Sequence, residues 1–342
     1  MSISSHTRIY GLDTARAFLM ALGAFYHTAL IYNENIVWRV SSEQSSGLLQ
    51  FISATIHEFR MEAFFLISGF FFLLLFEKQQ DSFLRQRLQR VIIPLIVCGL
   101  TLNMLMNFLS YNLSIDWSFA GYFLNGVWLG HLWFLGNLAT YFVVFFIILK
   151  LAPPLPTLSR RAIMVLLFLF TPVLSIGLKW LVSDFNNVHF LFFTPAKWLY
   201  QAPYFLLGIL FYRNQANFLQ LFTKRGLSLA LVLLALLKII KREMALSGWD
   251  YSITSSIDEL TTPLLVYSVL GFFLIFLNKS SRAVRAMSDS SYTVYLFHQP
   301  LIIVIYSVIY SANLGFNIYL EYILIVALSL SIPFAFHVYM VK

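Results

Sequence analysis

Charge is what this sequence has least of. Asp, Glu, Lys and Arg supply 11% of its 342 residues, where an ordinary soluble domain carries about 25%. So few charges cannot cover a large water-facing surface. With 59% hydrophobic residues and a mean hydropathy of +0.77, the solvent for most of the chain is lipid. A single cysteine, Cys98, excludes an intramolecular disulfide and a cysteine-based metal site. No low-complexity segment and no internal repeat is visible, which weighs against the inverted-repeat architecture of many secondary transporters. The net charge of +8 is dispersed in short clusters between apolar runs, which is not the single basic patch of a nucleic-acid-binding protein.

What is abundant fits a bilayer. Phe contributes 35 residues and Tyr 18, a bias suited to lipid-facing surface and interfacial belts. Crossing the hydrocarbon takes about 20 apolar residues, and runs of that order occur near 12–32, 51–76, 92–112, 131–151, 162–182, 198–212, 226–241, 257–277, 292–310 and 317–340. The pattern predicts an all-α integral membrane protein of about ten transmembrane helices, with residues 1–342 forming one domain. With both termini inside, fifteen basic residues fall on the cytoplasmic side and six on the other: Arg39, Lys179, Lys197, Lys238, Lys241 and Arg242. The bias sets the orientation, with Lys238, Lys241 and Arg242 as its exception. The stretch from Ala17 to Tyr32 has the look of a secretory leader, but Asp13 and Arg16 sit where such a leader turns apolar, and the run continues past Ala24. We read it as a retained helix.

Ionisable groups inside bilayer helices are costly and mark sites by default. In the first run Asp13 and Arg16 are spaced to pair on one helical face. His27 follows Arg16 by eleven residues, which returns to within about 20° of the same face roughly 16 Å further along. The second run carries His57 and Arg60 three apart, with Ser68 eleven residues after His57. Because it runs back, His57 and Arg60 reach the depth of His27, in the outer half. Imidazole can take a proton from an attacking hydroxyl and return it to a leaving group near neutral pH, or it can itself attack a thioester; the residues leave both open. Glu58 and Glu62 could neutralise Arg60, face other helices or sit in water.

Arg87 and Arg90, before the third run, share a face, and guanidinium forks match phosphate oxygens. On composition alone they read as a positive-inside anchor. His131 and Trp133 open the fourth run at the expected outer interface. His298 lies in the ninth, where Pro300 frees a backbone carbonyl nearby. Structural roles remain open for all of these, since an arginine can snorkel and a buried histidine can bond a carbonyl. His6, His189 and His337 receive no role. The histidines lack a compact set of ligand spacings, so no metal is expected.

These segments together resemble acyltransferase family 3, membrane proteins that O-acylate extracytoplasmic glycans. The likeness rests on Arg16 with ten residues before His27, Phe64-Phe65-Leu66-Ile67-Ser68-Gly69-Phe70, Arg87-Leu88-Gln89-Arg90 with Pro94, His131-Leu132-Trp133-Phe134-Leu135, and Ser291-Tyr292 through His298. Leu12 to Ala17, His57 to Met61 and Tyr204 to Gly208 further resemble the branch that succinylates osmoregulated periplasmic glucans. The resemblance implies a bacterial inner-membrane enzyme in which His27 is catalytic and Arg16 supports it. It turns Arg87 and Arg90 into ligands for acyl-coenzyme A. His57, Arg60, Ser68, His131, Trp133 and His298 would position the acceptor or the acyl group, and Asp13 would support Arg16 as an ion pair. The implied partners are membrane lipid, cytosolic succinyl-coenzyme A as donor substrate and a periplasmic glucan as acceptor, with no permanently bound cofactor. Many relatives place an acidic residue directly before the first-helix histidine; here it is Tyr26. Two other readings stay open, an acetyltransferase acting on another surface polysaccharide and a transporter or flippase.

Overall fold

The computed structural model describes residues 8–79, 82–111, 113–151, 153–182 and 192–341; His6, His189 and Lys342 lie outside them. Every apolar run becomes a helix, because only a helix satisfies its own backbone in hydrocarbon. In chain order these are α1 (Tyr10–Leu30), α2 (Gly47–Lys78), α3 (Phe83–Leu100), α4 (Leu102–Phe108), α5 (Trp133–Leu151), α6 (Arg160–Val165), α7 (Thr171–Leu181), α8 (Pro195–Arg213), α9 (Gln215–Leu219), α10 (Lys224–Leu246), α11 (Tyr251–Phe276), α12 (Arg282–Ser311) and α13 (Ile318–Phe336). No strand occurs among the described residues. Starts are set by short polar side chains that accept from first-turn amides. Ser46 caps α2, Ser159 α6, Thr223 α10, Asp250 α11, Ser281 α12 and Asn317 α13.

Length and hydropathy qualify seven helices as membrane spans among the described residues, not about ten: Gly47–Lys78, Phe83–Phe108, Ala120–Leu151, Arg160–Leu181, Tyr251–Phe276, Arg282–Ser311 and Ile318–Val341. The other three expected runs are α1, α8 and α10, helices of 21, 19 and 23 residues. Their polar content lowers their mean hydropathy. Asp13, Arg16 and His27 do so in α1, Lys197 and Gln201 in α8, and Lys224, Arg225, Lys238, Lys241 and Arg242 in α10.

Helix α2 sits at the centre, packed on α1, α8 and α11, while α12 packs on α1 and α13. The α2–α8 contact is close because Gly69 and Gly208 face the partner backbone. A methyl group at Gly69 would run into the Phe205 carbonyl, and one at Gly208 into that of Leu66. Small residues at such seams let membrane helices approach where lipid provides no hydrophobic drive for association. Prolines add polar pins. Pro94 cannot donate to the Arg90 carbonyl, and Tyr292 Oη donates to it instead at 3.0 Å, joining α12 to α3. Pro300 likewise leaves the Leu296 carbonyl free. Outward, α10 keeps only Ala230 buried and exposes Leu229, Val232, Leu236 and Ile239, a face suited to lipid.

Candidate active site

A cavity of about 890 Å³ opens between α1, α2, the start of α5, α7, α8, α10, α11 and α12. His27, His57, Arg60, His131, Trp133 and His298 all lie on its wall. Six sequence candidates drawn from four separate segments therefore meet at one place.

Each is held by identifiable partners. His298 is 1% exposed, and its Nδ1 lies 2.7 Å from the Tyr295 carbonyl. A carbonyl only accepts, so Nδ1 carries the proton and Nε2 presents its lone pair; Nε2 is buried without a partner among the described residues. His131 sits on a 3₁₀ turn, Val127–Leu132, after Gly130, whose φ of +49° is left-handed backbone that favours glycine. Its Nε2 lies 3.2 Å from the Leu296 carbonyl that Pro300 releases, and Tyr295 Oη donates to the His131 carbonyl at 2.9 Å. His131 is 6% exposed and packed inside the bundle, where the Pro300 gap offers its ring an acceptor.

The rings form a continuous group. His27 and His298 have centroids 5.4 Å apart, and His298 and His131 5.3 Å. His27 packs on Tyr26 at 4.7 Å and on Trp38 at 5.8 Å, and Tyr26 also stacks on His57 at 5.4 Å. Aromatic packing therefore holds the His27 ring on two sides. Its Nδ1 is buried without a partner among the described residues. The Arg60 guanidinium lies over the Tyr26 ring at 5.1 Å and, with His298, converges on Gly23. A Cβ there would meet Arg60 Nη1 at 2.8 Å and His298 Nε2 at 2.9 Å.

The cations on the wall divide into two classes. Lys238 contacts Glu58 and lies 3.3 Å from Asp258; Lys241 reaches Asp258 at 2.5 Å and Lys179 reaches Glu259 at 3.6 Å. Glu58 also accepts from Thr261 Oγ1. These pairs account for the lysines that break the positive-inside pattern, since their charge is matched within the protein. Arg60 and Lys197 have no carboxylate within ion-pair distance among the described residues. Lys197 Nζ instead lies 4.5 Å over the Trp133 ring.

The remaining candidates lie elsewhere. Arg16 does not line the cavity; its Nη2 donates to Ser288 Oγ at 3.0 Å and its guanidinium lies over Phe71 at 5.3 Å. Arg87 is within electrostatic reach of Arg90 and Arg16, so the three form a second, basic group one half-helix away. Asp13 stands 3.9 Å from Arg16, within ion-pair distance, and also accepts a bond from Arg8 Nε at 2.7 Å. Ser68 is off the cavity wall. Helical spacing puts it on the His57 face, but α8 closes that depth through Gly208 against Leu66 and Phe70.

Several wall or support residues were given no site role by the sequence, among them Gly23, Lys197, Gln201 and, although its segment carried part of the resemblance, Tyr204. The misplaced Lys238 and Lys241 were a usable signal for the charged side of the cavity. Arg39, on the α1–α2 connection, also escaped notice. It donates to Asn107 Oδ1, and burial pushes its pKa down to about 10. No group of three or more His, Cys, Asp or Glu among the described residues is arranged to hold a metal ion.

Residues 9–338 match the Acyltransferase domain family. Glucans biosynthesis protein C from Escherichia coli is 30% identical over 334 residues, covering 86% of this chain and 82% of the relative. The protein of that name from Shigella dysenteriae serotype 1 shows the same identity and coverage. No solved structure matches the chain significantly. A helical, multi-pass membrane architecture, a histidine-lined cavity and a family match spanning almost every residue lead to one assignment: the chain belongs to acyltransferase family 3.

Proposed function

We propose that this acyltransferase moves a succinyl group from cytosolic succinyl-coenzyme A to hydroxyls of osmoregulated periplasmic glucans. It would act in a bacterial inner membrane with both termini inside. The observation that carries the reading is His27, buried, with an Nδ1 that has no partner among the described residues, lining the cavity that Arg60 also lines. The sugar oxygen attacks the thioester carbon, the C–O bond forms and the C–S bond breaks. The hydroxyl proton passes through imidazole to the departing thiolate. In the two-step form His27 nitrogen attacks first and the sugar then takes the acyl group from it. Arg60 supplies the positive charge that a succinyl carboxylate needs inside a protein. Arg16, Arg87 and Arg90 form a basic group suited to the coenzyme phosphates. The name of the relatives supports a glucan as acceptor.

The test is acyl-donor turnover by purified protein, with and without glucan, followed by mass analysis of the glucan. The intact protein is expected to release coenzyme A thiol when acceptor is present and to add succinyl mass and negative charge. His27→Ala is expected to reach normal membrane levels with no transfer, and substantial transfer by that variant overturns the assignment of His27. Acetylated glucan would retain the chemistry and reject succinyl, and absence of thiol release under all conditions would favour a transporter.

A further inference from the structure

Three residues that line the cavity carry a buried polar atom without a partner among the described residues: Glu62 Oε2 on α2, and Gln201 Oε1 and Tyr204 Oη on α8. Gln201 is 6% exposed and Tyr204 1%. Leaving buried polar groups unsatisfied is costly, so such atoms call for a guest. Gln201 and Tyr204 are three apart and share a face of α8. Glu62, on α2, lines the same cavity and lies within electrostatic reach of Tyr204.

The chemistry of these atoms selects the guest. An amide oxygen and a carboxylate oxygen accept hydrogen bonds, and a phenol both donates and accepts. Their complement is a molecule with several hydroxyl donors. The acyl half of the donor fits less well: a thioester carbonyl and a succinyl carboxylate only accept, which Tyr204 Oη can meet but the Glu62 and Gln201 oxygens cannot. On the same wall Arg60 and Lys197 only donate; neither has a carboxylate within ion-pair distance among the described residues, although Glu62 is within electrostatic reach of Arg60. The cavity therefore has one region built to bind an acid and another built to bind hydroxyls.

We infer that Glu62, Gln201 and Tyr204 form the subsite for a sugar ring of the acceptor, bonding hydroxyls that flank the one to be acylated. This rests on the glycan-acylating reading above and goes beyond it by assigning acceptor contacts to Glu62, Gln201 and Tyr204, to which neither the motifs nor the resemblance gave a role. A site that hydrogen-bonds particular hydroxyls discriminates strongly against analogues lacking them.

The experiment uses the full-length protein in detergent, a gluco-oligosaccharide and its monodeoxy analogues. Tyr204→Phe and Gln201→Met keep side-chain volume and remove one hydrogen-bonding group each. Each is expected to raise the acceptor KM by about fivefold or more, leave the donor KM unchanged, and reduce the preference for the parent sugar over one deoxy analogue. Sugar binding, read as a thermal shift without donor, should weaken in parallel. Normal transfer with an unchanged acceptor KM in both variants overturns the subsite and leaves the glycan reading standing. Sugar binding that depends on Tyr204 and Gln201, with no transfer to glycan by the parent protein, retains the subsite and overturns that reading. A raised donor KM reassigns these residues to the acyl group.

Discussion

Replacing Gly23 by alanine adds one methyl group where α1 meets Arg60 and His298. The new carbon would stand 2.8 Å from Arg60 Nη1 and 2.9 Å from His298 Nε2, roughly 0.6 Å or more inside an ordinary contact of about 3.5 Å. His298 is fixed at its other nitrogen by the Tyr295 carbonyl, so the flexible Arg60 gives way and slides along the Tyr26 ring. Misplacing groups by this much beside reacting atoms costs up to about 10²-fold in rate. Relieving the overlap by a side-chain shift costs the fold about 1 kcal/mol. The expected variant is abundant, has a melting temperature within a few degrees of the parent, and turns over roughly 30- to 100-fold more slowly. Gly208→Ala is the contrast: its methyl group meets the Leu66 backbone carbonyl, which cannot swing aside, and folded protein should be lost. Thiol release from the acyl donor, normalised to monodisperse protein, measures both. Parental turnover in Gly23→Ala would refute the idea that the positions of Arg60 and His298 matter to the reaction. Loss of folded Gly23→Ala would make this glycine a packing residue instead.

Arg87→Gln with Arg90→Gln should raise the KM for acyl-coenzyme A more than that for the acceptor, as loss of ground-state phosphate contacts requires; an unchanged donor constant with poor membrane insertion would reduce the pair to a topology anchor. Single cysteines near Ser82 and Ser281, placed after Cys98 has been replaced, should resist an impermeant thiol reagent in intact cells, while one near Ser45 should label. The reverse pattern would separate the basic group from its coenzyme.

Much of the site was readable because intramembrane polar residues announce themselves. His27, His57, Arg60, His131, Trp133 and His298 stand out against apolar surroundings, and helical spacing with antiparallel order puts the first three at one depth. Spacing cannot reveal where a neighbouring helix closes the face, and so Ser68 was misplaced. It placed Asp13 with Arg16, an ion pair the structure contains, but gave no sign that Arg8 joins them from before the helix. Helix existence followed from the apolar runs, but counting spans required the polar load of α1, α8 and α10. Gln201, Tyr204 and Gly23 are ordinary residues in their own segments. Only the packing of α8 on α2, and of Arg60 and His298 over α1, gives them a role.

The prolines within α3 and α12 bear on how these helices find their height in the membrane. Two apolar helices side by side in lipid can slide with little change in energy, because acyl chains cover exposed side chains as well as a neighbour does. A carbonyl deprived of its in-helix donor is different: it is satisfied only when another segment brings a donor to that level. The Arg90 carbonyl waits for Tyr292, and the Leu296 carbonyl for His131. The missing amides of Pro94 and Pro300 thus act as a vertical address, and they fix the level of α12, which carries His298, against two separate parts of the chain.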